Sequence, residues 1–437
     1  MQRLPALLLL IACTHTVVIH AQFCNDTRFT EAEYFSDSEI ETNYNVSYGL
    51  ASQWFMDLPQ PSLNTLDIAF PDQTVDPMEK RPLIVLVHGG GFWGGEKESF
   101  SYHLQELAKN GYVVAAINYR KGWMGSPLDC DGDPNSLSLA IYRGMQDTHA
   151  AIRFLVANAD VYGIDTANIF AGGESAGVYA VMNAYYLTQD DWESYNPGYG
   201  YLYGDINAST NEYTTTFKLK GILNMWGGMV DTAFVSVNEA VPSIAFYGMS
   251  DGVIPPGHGN IQYCENFAEI FGALGLSEFY NNNNICNVLH QNPTEGHEAY
   301  PADYVCPNIA CFIKGVLCNT CSTELMHYEI SDCSADVVID TTTDTTETLN
   351  IEIAQIETLS LFPNPADQRI QCKIDNTWPT DASITVYDLA GNFMQIAVGQ
   401  AGLVRYADVS SLPEGVYLLR IQAANRVGSG SFVVARH

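Results

Sequence analysis

Ser175 stands in the pentapeptide Gly173-Glu174-Ser175-Ala176-Gly177, between a short apolar run at 169–171 and a helix-like stretch at 178–187. A strand, a sharp turn and a helix in that order are what a G-x-S-x-G serine needs to be lifted clear of a sheet as a nucleophile. Gly173 and Gly177 flank the turn, where a Cβ would collide with the neighbouring strand and helix. The pentapeptide alone also fits an ordinary Gly-rich turn, so the chemistry depends on partners elsewhere in the chain.

Those partners occur in a usable order. The apolar, β-branched run 83–87 ends in His88-Gly89-Gly90-Gly91-Phe92. Consecutive glycines after a buried strand let backbone N–H groups converge on one point, as a developing oxyanion requires. The expected donors are Gly90 and Gly91, together with the Ala176 N–H. A phosphate cradle would end in Gly-Lys-Ser/Thr, which this loop lacks. The run 241–247 leads into Ser250-Asp251-Gly252, placing Asp251 in a tight turn at a strand end; Asp-Gly is also a common turn pair. His297, in Glu295-Gly296-His297-Glu298, follows the last expected strand. His290 lies inside that strand and His258 comes shortly after Asp251, and both read as structural. The order Ser175, Asp251, His297 suits a relay in which His297 takes the serine proton, Asp251 fixes the imidazole tautomer, and Ser175 attacks an acyl carbon. Such chemistry requires no metal or organic cofactor.

The elements that must position these residues follow from periodicity. Residues 63–70 alternate as an edge strand does, 83–87 is a continuous apolar run of the kind a buried strand shows, 112–118 reads as another buried strand, and 219–225 and 241–247 read as two more strands. Helices are expected at 99–109, at 137–158 with apolar residues three and four apart, and at 263–274, before a last strand near 287–290. Alternating strands and helices imply an α/β class with a mostly parallel sheet covered on both faces, whose sites lie at the carboxyl ends of strands. Residues 22–60 read as an irregular extension. The aromatic, Gly-rich stretch 190–217 reads as an insertion, either a lid or an inert surface loop.

Composition sets the context. The 437 residues are 47% hydrophobic, enough for two domains with buried cores. Residues 1–21 read as an export signal, with Arg3, an apolar 4–12 and a small residue at Ala21; Leu10-Ile11-Ala12-Cys13 also resembles an acylation site on Cys13. The other ten cysteines, in an exported chain, point to disulfides rather than a metal site, and their pairing stays open. A net charge of −31 argues against a nucleic-acid partner. From residue 357 onward there are seven acids and six bases, so the acidity belongs to the first three quarters and the shift suggests a domain boundary. The expected organisation is a catalytic domain at 22–334 with its core at about 63–316, a Thr/Asp-rich linker at 335–356 and a small all-β sandwich at 357–437.

Taken together, 82–93, Asn118-Tyr119-Arg120, 168–177, Ser250-Asp251-Gly252 and Gly296-His297 resemble the serine carboxylesterases of the α/β-hydrolase superfamily, especially the branch shared by HGGG esterases, feruloyl and acetyl esterases and hormone-sensitive-lipase-like enzymes. The resemblance implies an acyl-enzyme on Ser175, a small-molecule or polymer-borne ester as substrate, and Asp147 as structural support. A serine peptidase of the same fold is the alternative activity, weakened because no propeller-like repeat precedes this region. A non-enzymatic adhesion module is disfavoured by the filled catalytic positions. Phe92, Trp93, Trp123, Tyr179 and Trp226 are the candidate substrate contacts, suited to an aromatic or apolar acyl group as in a feruloyl ester or a polyester, with core packing as the equal alternative. The tail, with Pro363-Asn364-Pro365, Val386-Tyr387-Asp388 and 412–417, resembles the C-terminal sorting domain of type IX secretion substrates. That resemblance implies handling by the secretion machinery and a secreted or cell-surface protein; a carbohydrate-binding sandwich is the alternative.

Overall fold

Alternation along one strand explains how the domain is layered. In β3 (Arg81–Val87), Leu83, Val85 and Val87 enter one buried cluster, while Ile84 and Leu86 enter another on the opposite face. A strand covered on both faces has no polar face to offer, which is why its sequence is continuously apolar. The computed structural model describes residues 23–436 except 25–26, 32, 56–57, 126–129, 327–354, 360, 375–377, 379–381, 389–393, 395, 402–403 and 424–425. The expected signal, Cys13 and nearly all of the expected linker lie outside the described residues. The chain divides into two compact units, 1–338 and 339–437.

The first unit is built on a nine-stranded sheet in the order β1-β2-β4-β3-β5-β6-β7-β10-β11. Its strands are β1 (Ile40–Phe55), β2 (Leu58–Pro71), β3, β4 (Val113–Ile117), β5 (Ile164–Glu174), β6 (Leu219–Met225), β7 (Ser243–Gly248), β10 (Asn287–Asn292) and β11 (Glu324–Met326), with a separate small hairpin of β8 (His258–Asn260) and β9 (Glu269–Phe271). β1 and β2 are antiparallel and every pairing from β4 to β11 is parallel. Besides a single turn at Ala159–Tyr162, the α-helices are α1 (Ser101–Lys109), α2 (Pro134–Ala157), α3 (Ala176–Tyr186), α4 (Gln189–Tyr195), α5 (Tyr199–Tyr203), α6 (Ala273–Asn282) and α7 (Ala302–Leu317). Ile141, Met145, Val178 and Val181 from α2 and α3 cover one face; Leu104, Leu107, Val305 and Ile309 from α1 and α7 cover the other. α2 begins three residues earlier than its apolar spacing predicts because Asp133 caps it, accepting from Asn135 N and Ser136 N, and Pro134 supplies a preset first turn.

Four expectations need correction. The stretch read as irregular contains the 16-residue β1, whose polar and aromatic residues suit an outermost strand that needs backbone pairing more than apolar alternation. In consequence β2 is an interior strand, hydrogen-bonded to β4 on its other side. The helix expected at 263–274 is instead a loop and β9, with α6 starting at Ala273: Cys264 is tied to Cys130, and a Cβ on Gly272 would lie 2.0 Å from Pro255 O, so the chain turns there. β10 is not the last strand, since β11 pairs beside it after two disulfides, Cys24–Cys318 and Cys286–Cys321.

The second unit contains two four-stranded sheets. One joins Gln355–Thr358, Arg426–Val434, Gly415–Ala423 and Ser383–Asp388; the other joins Leu361–Phe362, Arg369–Lys373, Val404–Asp408 and Val398–Ala401. All pairings are antiparallel except the first, and Ile370, Val386, Leu419 and Phe432 share one buried cluster.

Burial in the first unit also predicts acid lability. His88, His103 and His290 are almost wholly buried, and burial pushes each down to about 4. The unfolded chain takes up these protons near pH 6.5, so the stability they confer is complete above that pH and is lost as the pH falls toward 4. Each is worth at most about 3 kcal/mol. The urea midpoint is therefore expected to fall clearly between pH 7.5 and pH 5, and equal midpoints would contradict this account.

Candidate active site

The turn from β5 into α3 holds Ser175 at φ 52°, ψ −117°, with its N–H donating to Met225 O at 2.9 Å. A Cβ on Gly173 or Gly177 would lie 1.9 Å from Val87 O, so β3 lies against both arms of the turn and excludes any side chain there. At Gly177 the objection is purely steric, because its φ is not in the left-handed region. Gly177→Ala is expected to push α3 off β3, costing about 3 kcal/mol or more and lowering activity with it; a variant with wild-type melting temperature and rate would refute the steric argument.

His297 Nδ1–H donates to Asp251 Oδ2 at 2.8 Å, leaving Nε2 to accept from Ser175 Oγ at 2.9 Å. The carboxylate is fixed from its other side: Asp251 Oδ1 accepts from Val253 N at 2.7 Å and Ile254 N at 2.9 Å. The turns bearing the acid and the histidine are joined by Ser250 N donating to Glu295 O at 3.0 Å, and a Cβ on Gly248 would lie 2.2 Å from Glu295 O and Gly296 O. Ser175 and Asp251 are 8% and 3% exposed, so the line of hydrogen bonds runs where water competes little. Neither of the other two expected histidines joins it. His290 stacks on Phe246 and meets Tyr304 Oη, while exposed His258 stacks on Phe271.

The glycine loop after β3 reaches the same point. Gly89 lies against the elbow, where an added Cβ would sit 3.3 Å from Ser175 Cβ. Gly90 (φ 102°), Gly91 (φ 60°) and Phe92 (φ 60°) then take left-handed conformations. The N–H groups of Gly90 and Gly91 donate to no backbone carbonyl among the described residues, and Ala176, as the first residue of α3, has no carbonyl a turn behind it. The loop is braced by Trp93 N and Gly94 N on Gly90 O, by Gly122 N and Trp123 N on Phe92 O, and by Tyr119 Oη–H on His88 O. His88, stacked on Tyr119 at 4.4 Å and neutral through burial, adds no charge.

The candidate substrate contacts divide. Phe92 and Tyr179 meet edge to face at 6.4 Å, and buried Trp123 packs on Phe267 at 5.3 Å. Trp93 is 60% exposed, and Trp226 is buried in the core on the opposite face of the sheet. The stretch 190–217 forms α4, α5 and a loop pinned to α2: Gln146 Nε2 donates to Tyr203 O and Gly204 O, and Thr210 Oγ1 to Asp147. Features that motifs and periodicity do not reveal surround the acid. Cys130–Cys264 ties the loop after β4 to the connection between β8 and β9, and Tyr263 Oη–H donates to Asp251 O at 3.0 Å. Glu174 is pushed up to about 7 by burial, with nearby Glu298 adding to the effect.

Residues 66–244 match the family model BD-FAE, and residues 360–435 match the model of the secretion system C-terminal sorting domain. The chain thus carries a region similar to BD-FAE followed by a secretion-system sorting domain, which marks it for secretion or surface display. No described helix is long and apolar enough to cross a membrane. Fumonisin B1 esterase of Sphingopyxis macrogoltabida is 36% identical over 103 residues, 23% of this chain and 19% of that one. Acetylcholinesterase 1 of Caenorhabditis briggsae is 29% identical over 154 residues, 35% and 22% of the two chains. The chain therefore spans about a fifth of the length of these curated relatives. Among solved structures, a truncated carbohydrate esterase from gut microbiota aligns with TM-score 0.42 and 18% identity over 66% of this chain and 98% of its own. Thermogutta terrifontis esterase 2 phosphonylated by cyclosarin aligns with TM-score 0.39 and 15% identity over 60% and 85%.

Proposed function

We propose that this α/β-hydrolase is an exported serine carboxylesterase, with Ser175 as nucleophile, His297 as general base and Asp251 as its orienting acid. The observation that carries the reading is the continuous hydrogen-bonded line from Asp251 through His297 to Ser175 Oγ, beside a glycine loop with unused amide donors. His297 Nε2 takes the Oγ proton as Oγ bonds to the ester carbonyl carbon. The resulting oxyanion is held by the N–H groups of Gly90, Gly91 and Ala176. Collapse breaks the C–O bond to the leaving group, and the imidazolium returns the proton so that an alcohol departs. A water molecule, deprotonated by His297, then attacks the acyl-enzyme, and its collapse frees the carboxylic acid and Ser175. The substrate is a small-molecule or polymer-borne ester, and the sorting domain hands the chain to the secretion machinery.

The test is hydrolysis of p-nitrophenyl esters by the purified chain, with fluorophosphonate labelling to locate the nucleophile. Release of p-nitrophenol with covalent label on Ser175 is expected; an intact fold that neither hydrolyses the esters nor takes the label refutes the reading. A panel of acetyl-sugar, feruloyl, long-chain and polyester substrates then assigns the acyl group.

A further inference from the structure

Buried bases in the first unit are generally matched by acids. Arg28 and Arg81 share Asp76, Lys97 meets Asp67, and Arg120 meets Asp147. Two arginines on α2 depart from this pattern: Arg143, which lies over the Tyr203 ring at 6.0 Å, and Arg153, the one that lines a cavity. Arg153 is 3% exposed, yet its guanidinium bonds only neutral acceptors: Asn207 O, Ser209 O at 2.8 Å and Asn211 Oδ1 at 3.2 Å. Its Nε–H has no acceptor, and no carboxylate lies within 4.0 Å among the described residues. A buried cation without a counter-charge is costly, and it is the arrangement expected where an anion is supplied from outside.

Arg153 lines a cavity of about 610 Å³, within the size range of small-molecule sites. The cavity lies away from the serine. Its wall includes Tyr185, ten residues along α3 from Ser175, and a helix rises about 15 Å over that span. Its remaining surface combines aromatic and polar groups with one further base, Lys218, and two acids, Glu212 and Glu239, which a bound carboxylate must avoid. Phe217 tilts against the His149 ring at 5.5 Å, and His149 Nε2–H donates to Ala184 O at 2.7 Å, leaving the other ring nitrogen as an acceptor.

We propose that this cavity is a second, noncatalytic site for a small organic monocarboxylate with an apolar body, the carboxylate meeting Arg153 and the body lying against Phe217 and Tyr185. The site is independent of the esterase reading, since no residue of the Ser175 line contributes to it. Calorimetric titration of benzoate into the full chain is expected to give saturable binding. Benzyl alcohol, with the same ring and no charge, is expected to bind at least roughly tenfold more weakly. Phe217→Ala, which leaves every Arg153 hydrogen bond in place, is expected to weaken benzoate by a similar factor while leaving ester hydrolysis unchanged. The comparison of the two ligands uses the unaltered protein, so it decides the question even where the variant folds poorly. Absence of saturable benzoate binding, equal affinity for the alcohol, or an unchanged benzoate constant in folded Phe217→Ala overturns the proposal.

Discussion

Ser175→Ala is expected to lower kcat for ester hydrolysis by roughly ten-thousand-fold or more, with KM and melting temperature close to those of the parent. The size follows from what alanine removes. Without Oγ no acyl-enzyme forms, and His297 Nε2 loses the donor 2.9 Å away. The glycine loop and the binding surface remain, so residual hydrolysis reflects oxyanion stabilisation of direct attack by water. In the proposed mechanism Ser175 and His297 act as a unit, so adding His297→Ala to the alanine variant should cost little more, whereas independent contributions would multiply. Asp251→Asn keeps the shape but cannot hold Nδ1–H in the same tautomer, and its loss should also lie in kcat. Initial rates on p-nitrophenyl acetate across Ser175→Ala, Asp251→Asn, His297→Ala and the Ser175→Ala/His297→Ala double variant decide this. Activity surviving intact in Ser175→Ala would eliminate the proposed nucleophile.

The readability of the chain divides by the range of the interaction that specifies each feature. Ser175, Asp251 and His297 each follow an expected strand in glycine-bearing turn chemistry, so local sequence singles them out, and His297 lies within hydrogen-bond distance of the other two. The parallel sheet is legible for the same reason: strands buried on both faces carry their own signal in runs such as 83–87. β1 is not legible, because an outer strand is specified by pairing with β2 rather than by its own alternation. The loop and β9 at 263–271 read as a helix because Phe267, Ile270, Phe271 and Leu274 fall at helical spacing, but Cys264 is drawn to a partner 134 residues away. The supports of the oxyanion loop are hidden more deeply still. Arg120, Asp147 and Thr210 are separated by 27 and 63 residues, and nothing in the charge pattern names a charge's partner at such distances.

That hidden support carries the second large effect. Asp147, wholly buried, accepts from Arg120 N at 2.7 Å, from Arg120 Nη2 at 2.8 Å and from Thr210 Oγ1 at 2.7 Å. Asp147→Ala leaves the Arg120 guanidinium, 5% exposed, without its carboxylate and is expected to destabilise the domain by about 3–5 kcal/mol. For a domain of this size each kcal/mol moves the melting temperature by roughly 2–4 °C, so a drop on the order of 10 °C should be seen by calorimetry. The damage should also reach the chemistry. Arg120 lies two residues before Gly122, whose N–H, with that of Trp123, holds Phe92 O and hence the loop bearing Gly90 and Gly91. Loosening that brace disturbs the amides proposed to meet the oxyanion more than it disturbs ground-state binding, so kcat should fall further than KM rises. The double replacement Arg120→Met with Asp147→Leu removes both charges together and should be less destabilised than Asp147→Ala alone, because the largest cost is the charge left behind rather than the lost attraction. If the double variant is the less stable of the two, the pair contributes through its geometry, with Arg120 N and Thr210 requiring the Asp147 oxygens themselves.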